Sequence, residues 1–263
     1  MTAVPTTTLE LPNGGAMPLL GFGTWQLRGG TARSCVETAL EVGYRHLDTA
    51  TLYQNETEVG AAVAASGLPR SDVFVTTKCR VEDAGRERAA LETSLDKLGL
   101  DQVDLWLVHW PPAAERTVPM WEAFVAARSA GLARDIGVSN FPLELVDEVT
   151  DATGVRPAVN QVKWGPLLFD QDYLHGHRAR GVVFEGYSGL KGGVLTKPVV
   201  VGIAERLGRD PAQVVLRWHL QHHVVAIPRS SNAERIRANA QIGDFELSRE
   251  DMSALDALAT PAD

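Results

Sequence analysis

The segment that decides the fold is GYRHLDTATLYQNETEVG, residues 43 to 60. It begins like a strand that ends at Asp48 and finishes like a helix that starts near Asn55, with Tyr53 in the connection. A strand followed closely by a helix is the first half of a βα unit, which is the building block of parallel sheets. The segment therefore places an acid and a phenol at one end of a predicted parallel strand.

The same succession recurs along the whole chain, where short apolar runs rich in β-branched residues precede amphipathic or alanine-rich stretches. Predicted strands cover 19–23, 44–48, 73–78, 103–109, 133–139, 158–162, 182–187 and 224–228. Predicted helices cover about 31–42, 55–66, 85–98, 119–130, 143–151, 171–180, 198–207 with 211–221, and 232–241. Eight such units in 263 residues favour a (β/α)8 TIM barrel that forms a single domain over residues 1–263.

The residues before the first unit, TTLELPNGGAMPLL, predict a β-hairpin that turns at Asn13-Gly14-Gly15 and closes one end of the barrel. An open doubly wound sheet is the rival fold. Its signal is weak, because the first strand ends in GFGTWQ and lacks the third glycine of the dinucleotide-binding motif.

Five residues mark predicted helix starts. Thr31, Asn55 and Asn232 are expected N-caps, and Asn55 has the spacing of a capping box with Glu58. Pro119 and Pro211 suit the first turn of a helix.

Composition excludes several classes of partner and location. The net charge is −8 and charges of both signs are scattered, which argues against nucleic acid and anionic membrane as main partners. Apolar runs are too short to span a bilayer, and the N-terminal residues lack the pattern of a secretory signal. Cys35 and Cys79 are far apart in sequence, so a cytoplasmic protein without a disulfide framework is expected, and we expect a monomer.

Polar residues stand at the ends of three adjacent predicted strands. Asp48 ends the second strand and Tyr53 follows it, Lys78 ends the third, and His109 ends the fourth. Taken singly, they have ordinary alternatives: a helix cap, a packed tyrosine, a surface ion pair and a structural histidine. Active sites of barrels lie at the C-terminal ends of the strands, so all four should meet on one face.

Together these four groups predict proton transfer to a carbonyl oxygen. A free tyrosine has a pKa of about 10, and a lysine ammonium beside it would stabilise the phenolate. Asp48 would hold Lys78 in place, and His109 would donate a second hydrogen bond to the oxygen that becomes negative. The electron pair must come from a hydride donor, because no thiol or metal-ligand constellation is present.

Five segments resemble the aldo-keto reductases in order and spacing: GYRHLDTATLYQNETEVG, DLWLVHWP, IGVSNF, NQV and AIPRSSNAERIRAN, within about residues 9–255. The resemblance implies that Tyr53 is the general acid/base, with Asp48, Lys78 and His109 as its partners. It implies a nicotinamide carboxamide held by Ser139, Asn140 and Gln161, with Tyr187 stacked on the ring. It also implies that the adenosine end and its phosphate are bound by Arg229, Ser230, Ser231, Arg235 and Asn239.

The last of these segments favours NADPH as the cofactor. A loop that leads into a helix N-terminus offers free N–H groups to an anion, and Arg229 and Arg235 add guanidinium groups suited to a 2′-phosphate. A solvated basic helix face is the alternative. The substrate is expected to be a small carbonyl compound whose apolar contacts are Trp25 and Trp110, beside His109, although tryptophans in barrels more often serve packing.

The sequence departs from the family pattern in three places. GYSGLKGG replaces a proline-containing YSPL-type turn, and Cys79-Arg80 follows Lys78 where relatives commonly have a tryptophan, which predicts a charged pocket wall. The sequence ends at ALDALATPAD without the longer tail of larger relatives, so an open pocket and a broad carbonyl range are expected.

Two other functions stay open at this point, a Schiff-base lyase that uses Lys78 and an NADPH-sensing regulatory subunit. A metal enzyme is not expected, because His175, His177 and the group His219, His222 and His223 lack acidic or thiol partners at useful spacing. The natural substrate and the physiological direction are not predicted.

Overall fold

A computed structural model describes residues 4–259, so residues 1–3 and 260–263 of the predicted domain lie outside the described part. The predicted hairpin is present as β1 (Thr8–Glu10) and β2 (Ala16–Pro18), which pair antiparallel around the Asn13-Gly14-Gly15 turn. The backbone N–H of Asn13 donates to Asp135 Oδ1 at 3.1 Å, and its side-chain amide donates to the same oxygen at 2.8 Å. These bonds fix the hairpin against one end of the main sheet.

Eight parallel strands form that sheet in sequence order, which confirms the predicted barrel. They are β3 (Phe22–Gly23), β4 (His46–Asp48), β5 (Phe74–Cys79), β6 (Val103–Val108), β7 (Ala133–Ser139), β8 (Val159–Lys163), β9 (Val183–Tyr187) and β10 (Val225–Ala226). The two edges join through Leu19 to Gly21: Ala226 donates to Leu19 O at 2.9 Å and Gly21 donates to Ala226 O at 2.8 Å. β3 and β10 are shorter than predicted, because the two edges meet in a single β-bridge between Leu20 and Ala226.

Helices surround the sheet, and all of the predicted ones are present. They are α1 (Gly29–Val42), α2 (Glu56–Ala65), α3 (Glu87–Leu98), α4 (Ala114–Ser129), α5 (Leu143–Thr153), α6 (Gln171–Ala179), α7 (Pro198–Leu207), α8 (Pro211–Gln221), α9 (Ala233–Ala240) and α10 (Arg249–Asp256). Within residues 4–259, no helix is long and apolar enough to cross a membrane.

Helix α10 was not predicted from the sequence. It begins after Ser248, which forms a capping box with Asp251, and its eight residues are too few to show a convincing periodicity. The helix docks through the fully buried Leu255 and through Asp256, which accepts a hydrogen bond from the Trp218 indole at 2.7 Å.

Two of the predicted helix starts are wrong, and at a third the predicted capping bonds are absent. Helix α1 begins at Gly29, two residues before Thr31. Asn55 directly precedes α2, but its side chain makes no capping bond. Its Oδ1 accepts from Thr49 Oγ1 at 2.7 Å, while its amide nitrogen donates to Thr24 O at 2.9 Å and to Leu27 O at 3.0 Å. Pro119 lies inside α4, which begins five residues earlier.

The other two predicted helix starts, at Asn232 and Pro211, are confirmed. Asn232 caps α9 by accepting from the Arg235 backbone N–H at 2.9 Å, and Pro211 is the first residue of α8. Only at Asn55 do contacts with distant residues replace local capping. Its amide bonds to the carbonyls of Thr24 and Leu27, which lie in the loop after β3.

A matched pair of helix glycines tests the packing. A Cβ on Gly60 in α2 would lie 2.1 Å from Leu98 O, whereas a Cβ on Gly202 in α7 would meet nothing within 4 Å. Gly60→Ala should therefore lower the free energy of unfolding by about 1–3 kcal/mol despite alanine's better helix propensity. Gly202→Ala should raise it by about 0.5–1 kcal/mol. Urea denaturation of both variants measures this, and equal effects would show that α2 and α3 are not this close.

Candidate active site

A fully buried ion pair lies at the C-terminal end of β4 and β5. Lys78 Nζ donates to Asp48 Oδ2 at 2.6 Å, to the carbonyl of Thr49 at 3.0 Å and to the Tyr53 hydroxyl oxygen at 3.3 Å. These bonds use all the donors of an ammonium group. Burial alone would lower the pKa of Lys78, but Asp48, Tyr53 and Glu185 together raise it above its usual value, so the group stays charged.

Tyr53 is presented by a short turn rather than by a strand. A single 3₁₀ turn, Thr51–Tyr53, follows β4, and Thr51 donates to the carbonyl of Lys78 at 3.0 Å. The ring packs edge-on against Trp25 and His109, with centroids 4.9 Å and 5.7 Å away. Burial, the largest influence, raises the pKa of the Tyr53 phenol, while the Lys78 ammonium opposes that rise.

His109 completes the predicted group. It follows β6 and is buried, and its burial together with Lys78 lowers the pKa of the imidazole to about 3. A neutral imidazole carries one N–H donor and no charge, which suits donation to an oxygen beside Tyr53. Four residues predicted from three strand ends therefore meet at one site.

A cavity of about 810 Å³ opens above this group and runs along the C-terminal ends of the strands. Most predicted site residues line it: Trp25, Asp48, Tyr53, His109, Trp110, Ser139, Asn140, Gln161, Tyr187, Arg229, Ser230, Arg235 and Asn239. Lys78 is absent from the lining because it is fully buried beneath Asp48 and Tyr53. Ser231 is exposed and does not line the cavity, so the structure does not bring it to the other residues.

The residues predicted to meet a nicotinamide form a hydrogen-bonded chain. Asn140, in a left-handed conformation with φ 61°, donates to Ser139 Oγ at 2.9 Å and accepts from the Tyr187 hydroxyl at 2.8 Å. Ser139 donates to the backbone carbonyl of Gln161 at 2.8 Å. The C-terminal ends of β7, β8 and β9 are thus linked at the middle of the cavity.

Two arginines at the far end of the cavity differ in whether their guanidinium groups have hydrogen-bond partners. Arg229 Nε donates to the carbonyl of Trp25 at 3.0 Å, so its guanidinium spans the cleft towards the loop after β3. The Arg235 guanidinium, in the first turn of α9, makes no hydrogen bond or ion pair with any residue between 4 and 259. A helix N-terminus with an unengaged guanidinium is a site suited to an anion.

Comparison with known proteins decides the family. The model of the aldo/keto reductase family matches residues 19–260. The chain belongs to the aldo/keto reductase family. Membership implies NAD(P)H-dependent carbonyl chemistry on small substrates, as the resemblance of the five sequence segments predicted.

Its relatives are similar over nearly their whole lengths. An aldo-keto reductase of Mycolicibacterium smegmatis is 43% identical over 256 residues, which cover 96% of this chain and 93% of the relative. One of Mycolicibacterium vanbaalenii is 44% identical, covering 97% and 92%. Among solved structures, an aldo/keto reductase from Brucella melitensis matches with a TM-score of 0.92 and 40% identity, covering 97% and 100%. The aldose reductase from Schistosoma japonicum matches with a TM-score of 0.91 and 32% identity, covering 96% and 93%.

The expected charged pocket wall is wrong. Arg80 does not line the cavity, because its guanidinium makes two hydrogen bonds to the Asp83 carboxylate at 3.0 Å and 3.1 Å. The exposed apolar side chains that do line the rim are Trp25, Leu52 and Trp110.

The loop after β9 leaves no room for a side chain at Gly189. Ser188 is left-handed with φ 61°, and a Cβ on Gly189 would lie 2.6 Å from Cε1 of His219. The proline of the usual family turn would therefore collide with His219, so the altered loop and the histidine of α8 fit each other.

Three of the five histidines considered as metal ligands have structural partners. His177 lies 2.9 Å from the Asn160 amide nitrogen, and His222 lies 2.8 Å from Asp256 Oδ1. His219 Nδ1 lies 2.8 Å from the carbonyl of Val215. Among residues 4–259 no three His, Cys, Asp or Glu side chains gather as a metal site requires.

Sequence reasoning missed the buried carboxyl Glu185, which lies on β9 two residues before Tyr187. Its Oε2 accepts from Gln161 Nε2 at 2.8 Å, and Oε1 lies 3.8 Å from His46 Nε2. The alternation of side chains along a strand puts residues 185 and 187 on the same face, which was the available signal.

A double-mutant cycle tests the buried pair. Lys78→Met leaves Asp48 buried without its cation and should lower the free energy of unfolding by about 3–5 kcal/mol. Asp48→Asn combined with Lys78→Met should recover much of that loss, since no buried charge of the pair remains. Urea denaturation of wild type, Lys78→Met, Asp48→Asn and the double variant gives the coupling energy. A loss below about 1 kcal/mol in the single variant would mean that the pair is solvated.

Proposed function

We propose that this chain catalyses the reversible NADPH-dependent reduction of aldehydes and ketones to alcohols, with Tyr53 as the general acid/base. The observation that carries the proposal is the contact between the Lys78 ammonium and the Tyr53 hydroxyl in the floor of the cavity. A phenol beside a buried cation can release its proton, because the cation stabilises the phenolate that remains.

The residues around the cavity fit the nicotinamide cofactor. Gln161 exposes an amide oxygen, Tyr187 lines the middle of the cleft, and Arg235 stands with Asn239 at its far end. When bound, the cofactor would supply the hydride to the carbonyl carbon. Ser139 and Asn140 would hold its carboxamide, and Arg229 and Ser230 would help to bind the adenosine phosphate.

The protein supplies the proton and the charge stabilisation. Tyr53 and the neutral His109 would each donate a hydrogen bond to the substrate oxygen, polarising the carbonyl. As negative charge develops on that oxygen, the Tyr53 proton moves to it and the phenolate remains beside Lys78. Asp48 keeps Lys78 positioned and charged through the 2.6 Å contact. Trp25 and Trp110 would contact the rest of the substrate.

A Schiff-base lyase is disfavoured by the same geometry. A nucleophilic lysine must be unprotonated and reach its substrate, whereas Lys78 has a raised pKa, uses its donors on three partners and does not line the cavity. No feature of the described residues favours a purely regulatory role. Turnover of a simple aldehyde separates enzyme from sensor.

The proposal includes a monomeric, single-domain, cytoplasmic enzyme. Cys35 and Cys79 are both free and buried, which is compatible with a reducing compartment.

Tyr53→Phe should lower kcat by a factor on the order of 100 or more, because the general acid is lost, while NADPH binding stays nearly unchanged. Steady-state kinetics with an aldehyde and a fluorescence titration with NADPH measure the two effects. Tyr173→Phe is the matched control, since its hydroxyl donates to the carbonyl of Phe141 at 3.2 Å outside the cavity. Comparable turnover in Tyr53→Phe and wild type would remove the assignment.

Arg235→Met should raise the KM for NADPH about ten- to hundred-fold and leave the KM for NADH nearly unchanged, since the contact to the 2′-phosphate is lost. Arg237→Met controls for loss of charge on the same helix, because Arg237 faces Glu41 at 3.8 Å and does not line the cavity. Equal use of both cofactors by the wild-type protein would contradict this placement of the phosphate.

A further inference from the structure

The side chain of Gln161 is clamped between two buried carboxyl groups. Its Nε2 donates to Asp48 Oδ2 at 2.8 Å and to Glu185 Oε2 at 2.8 Å. These residues belong to three different strands, β8, β4 and β9, so the clamp spans the barrel interior.

The clamp fixes which end of the amide faces the cleft. A primary amide has two N–H donors, and both are used on carboxyl oxygens. The opposite orientation would bring Gln161 Oε1 against the oxygens of Asp48 and Glu185, which is electrostatically unfavourable. Oε1 accepts no hydrogen bond from residues 4–259, although it is not enclosed, and Gln161 lines the cavity. Gln161 therefore presents a hydrogen-bond acceptor, Oε1, to the cleft and no N–H donor.

Glu185 is the part of this clamp that the proposed chemistry does not otherwise use. It is fully buried and faces Asp48 and His46 from β4, Lys78 from β5 and Gln161 from β8. Burial and then Asp48 raise the pKa of Glu185 to about 8, while burial and Lys78 lower that of His46 to about 3. Whether Glu185 is protonated on Oε1 or ionised, its Oε2 remains an acceptor for Gln161.

We propose that Glu185 is a positioning residue that turns the oxygen of Gln161 towards the cofactor and so selects a ring substituent that donates a hydrogen bond. A carboxamide carries such a donor, and a methyl ketone in its place does not. The inference rests on the proposed function, because it concerns the nicotinamide end of the same cleft.

The test compares the Kd of NADP⁺ with that of its 3-acetylpyridine analogue, measured by quenching of tryptophan fluorescence. Trp25 and Trp110 at the cleft provide the signal. Wild type should favour NADP⁺. Glu185→Met removes the acceptor with little change of volume and should reduce the preference by several-fold to about ten-fold, the usual size of one buried hydrogen bond.

Conservative variants separate positioning from a merely structural role. Glu185→Gln keeps an acceptor and should restore most of the preference, while Glu185→Asp withdraws the oxygen by one methylene group and should lose it. Glu56→Met is the matched control, since Glu56 is buried and accepts from Thr77 at 2.7 Å but does not line the cavity. Its preference should equal that of wild type.

Each outcome decides something. An unchanged preference in Glu185→Met, or in Glu185→Asp if the methionine variant does not fold, overturns the role of Glu185. If wild type binds NADP⁺ and the 3-acetylpyridine analogue with equal affinity, the role of Glu185 is also overturned, while the reductase proposal stands. Failure of wild type to bind either cofactor overturns the proposed function, and this inference with it.

Discussion

A lysine ammonium inside a barrel must be matched by acceptors, and this requirement organises the centre of the molecule. Removing an ammonium and a carboxylate from water costs several kcal/mol per ion, which is offset only by close and complete pairing. Lys78 meets the requirement through Asp48, the Thr49 carbonyl and the Tyr53 hydroxyl. Because these acceptors come from β4 and the turn after it, the pairing also fixes the strand end relative to β5 and the position of the phenol.

Further buried polar contacts surround the ion pair, since Asp48 has lone pairs that Lys78 alone does not use. Asp48 has an oxygen that accepts from both Lys78 and Gln161, and Gln161 in turn donates to Glu185. Burial, and after it the negative charge of Asp48, raise the pKa of Glu185, so a second ionised carboxylate is disfavoured there. The site is therefore a connected network in which each side chain limits the orientations of its neighbour.

The sequence predicted most of the fold and the four central residues, because strand periodicity and the strand-end rule act locally and are repeated in every unit. The failures involve contacts between distant segments. Arg80 turned to Asp83 rather than to the cavity, and Asn55 bonded to the loop after β3 rather than capping its helix. Glu185 was missed although strand alternation puts it on the same face as Tyr187, because its partners come from other strands. The pairing of β8 with β9 sets it opposite Gln161, and the closed barrel brings Asp48 of β4 to the same amide.

The most direct measurement is the titration of Tyr53 by NMR, using tyrosine labelled with ¹³C at Cζ. The chain has four tyrosines, so four signals are expected and Tyr53→Phe identifies the relevant one. We expect Tyr53 to titrate at higher pH in the Asp48→Asn/Lys78→Met double variant than in wild type. The double variant loses the Lys78 ammonium, which lowers the pKa of Tyr53, and also the Asp48 carboxylate, which raises that pKa to a smaller extent. The same or a lower pKa in the double variant would contradict the claim that the buried pair controls the acid.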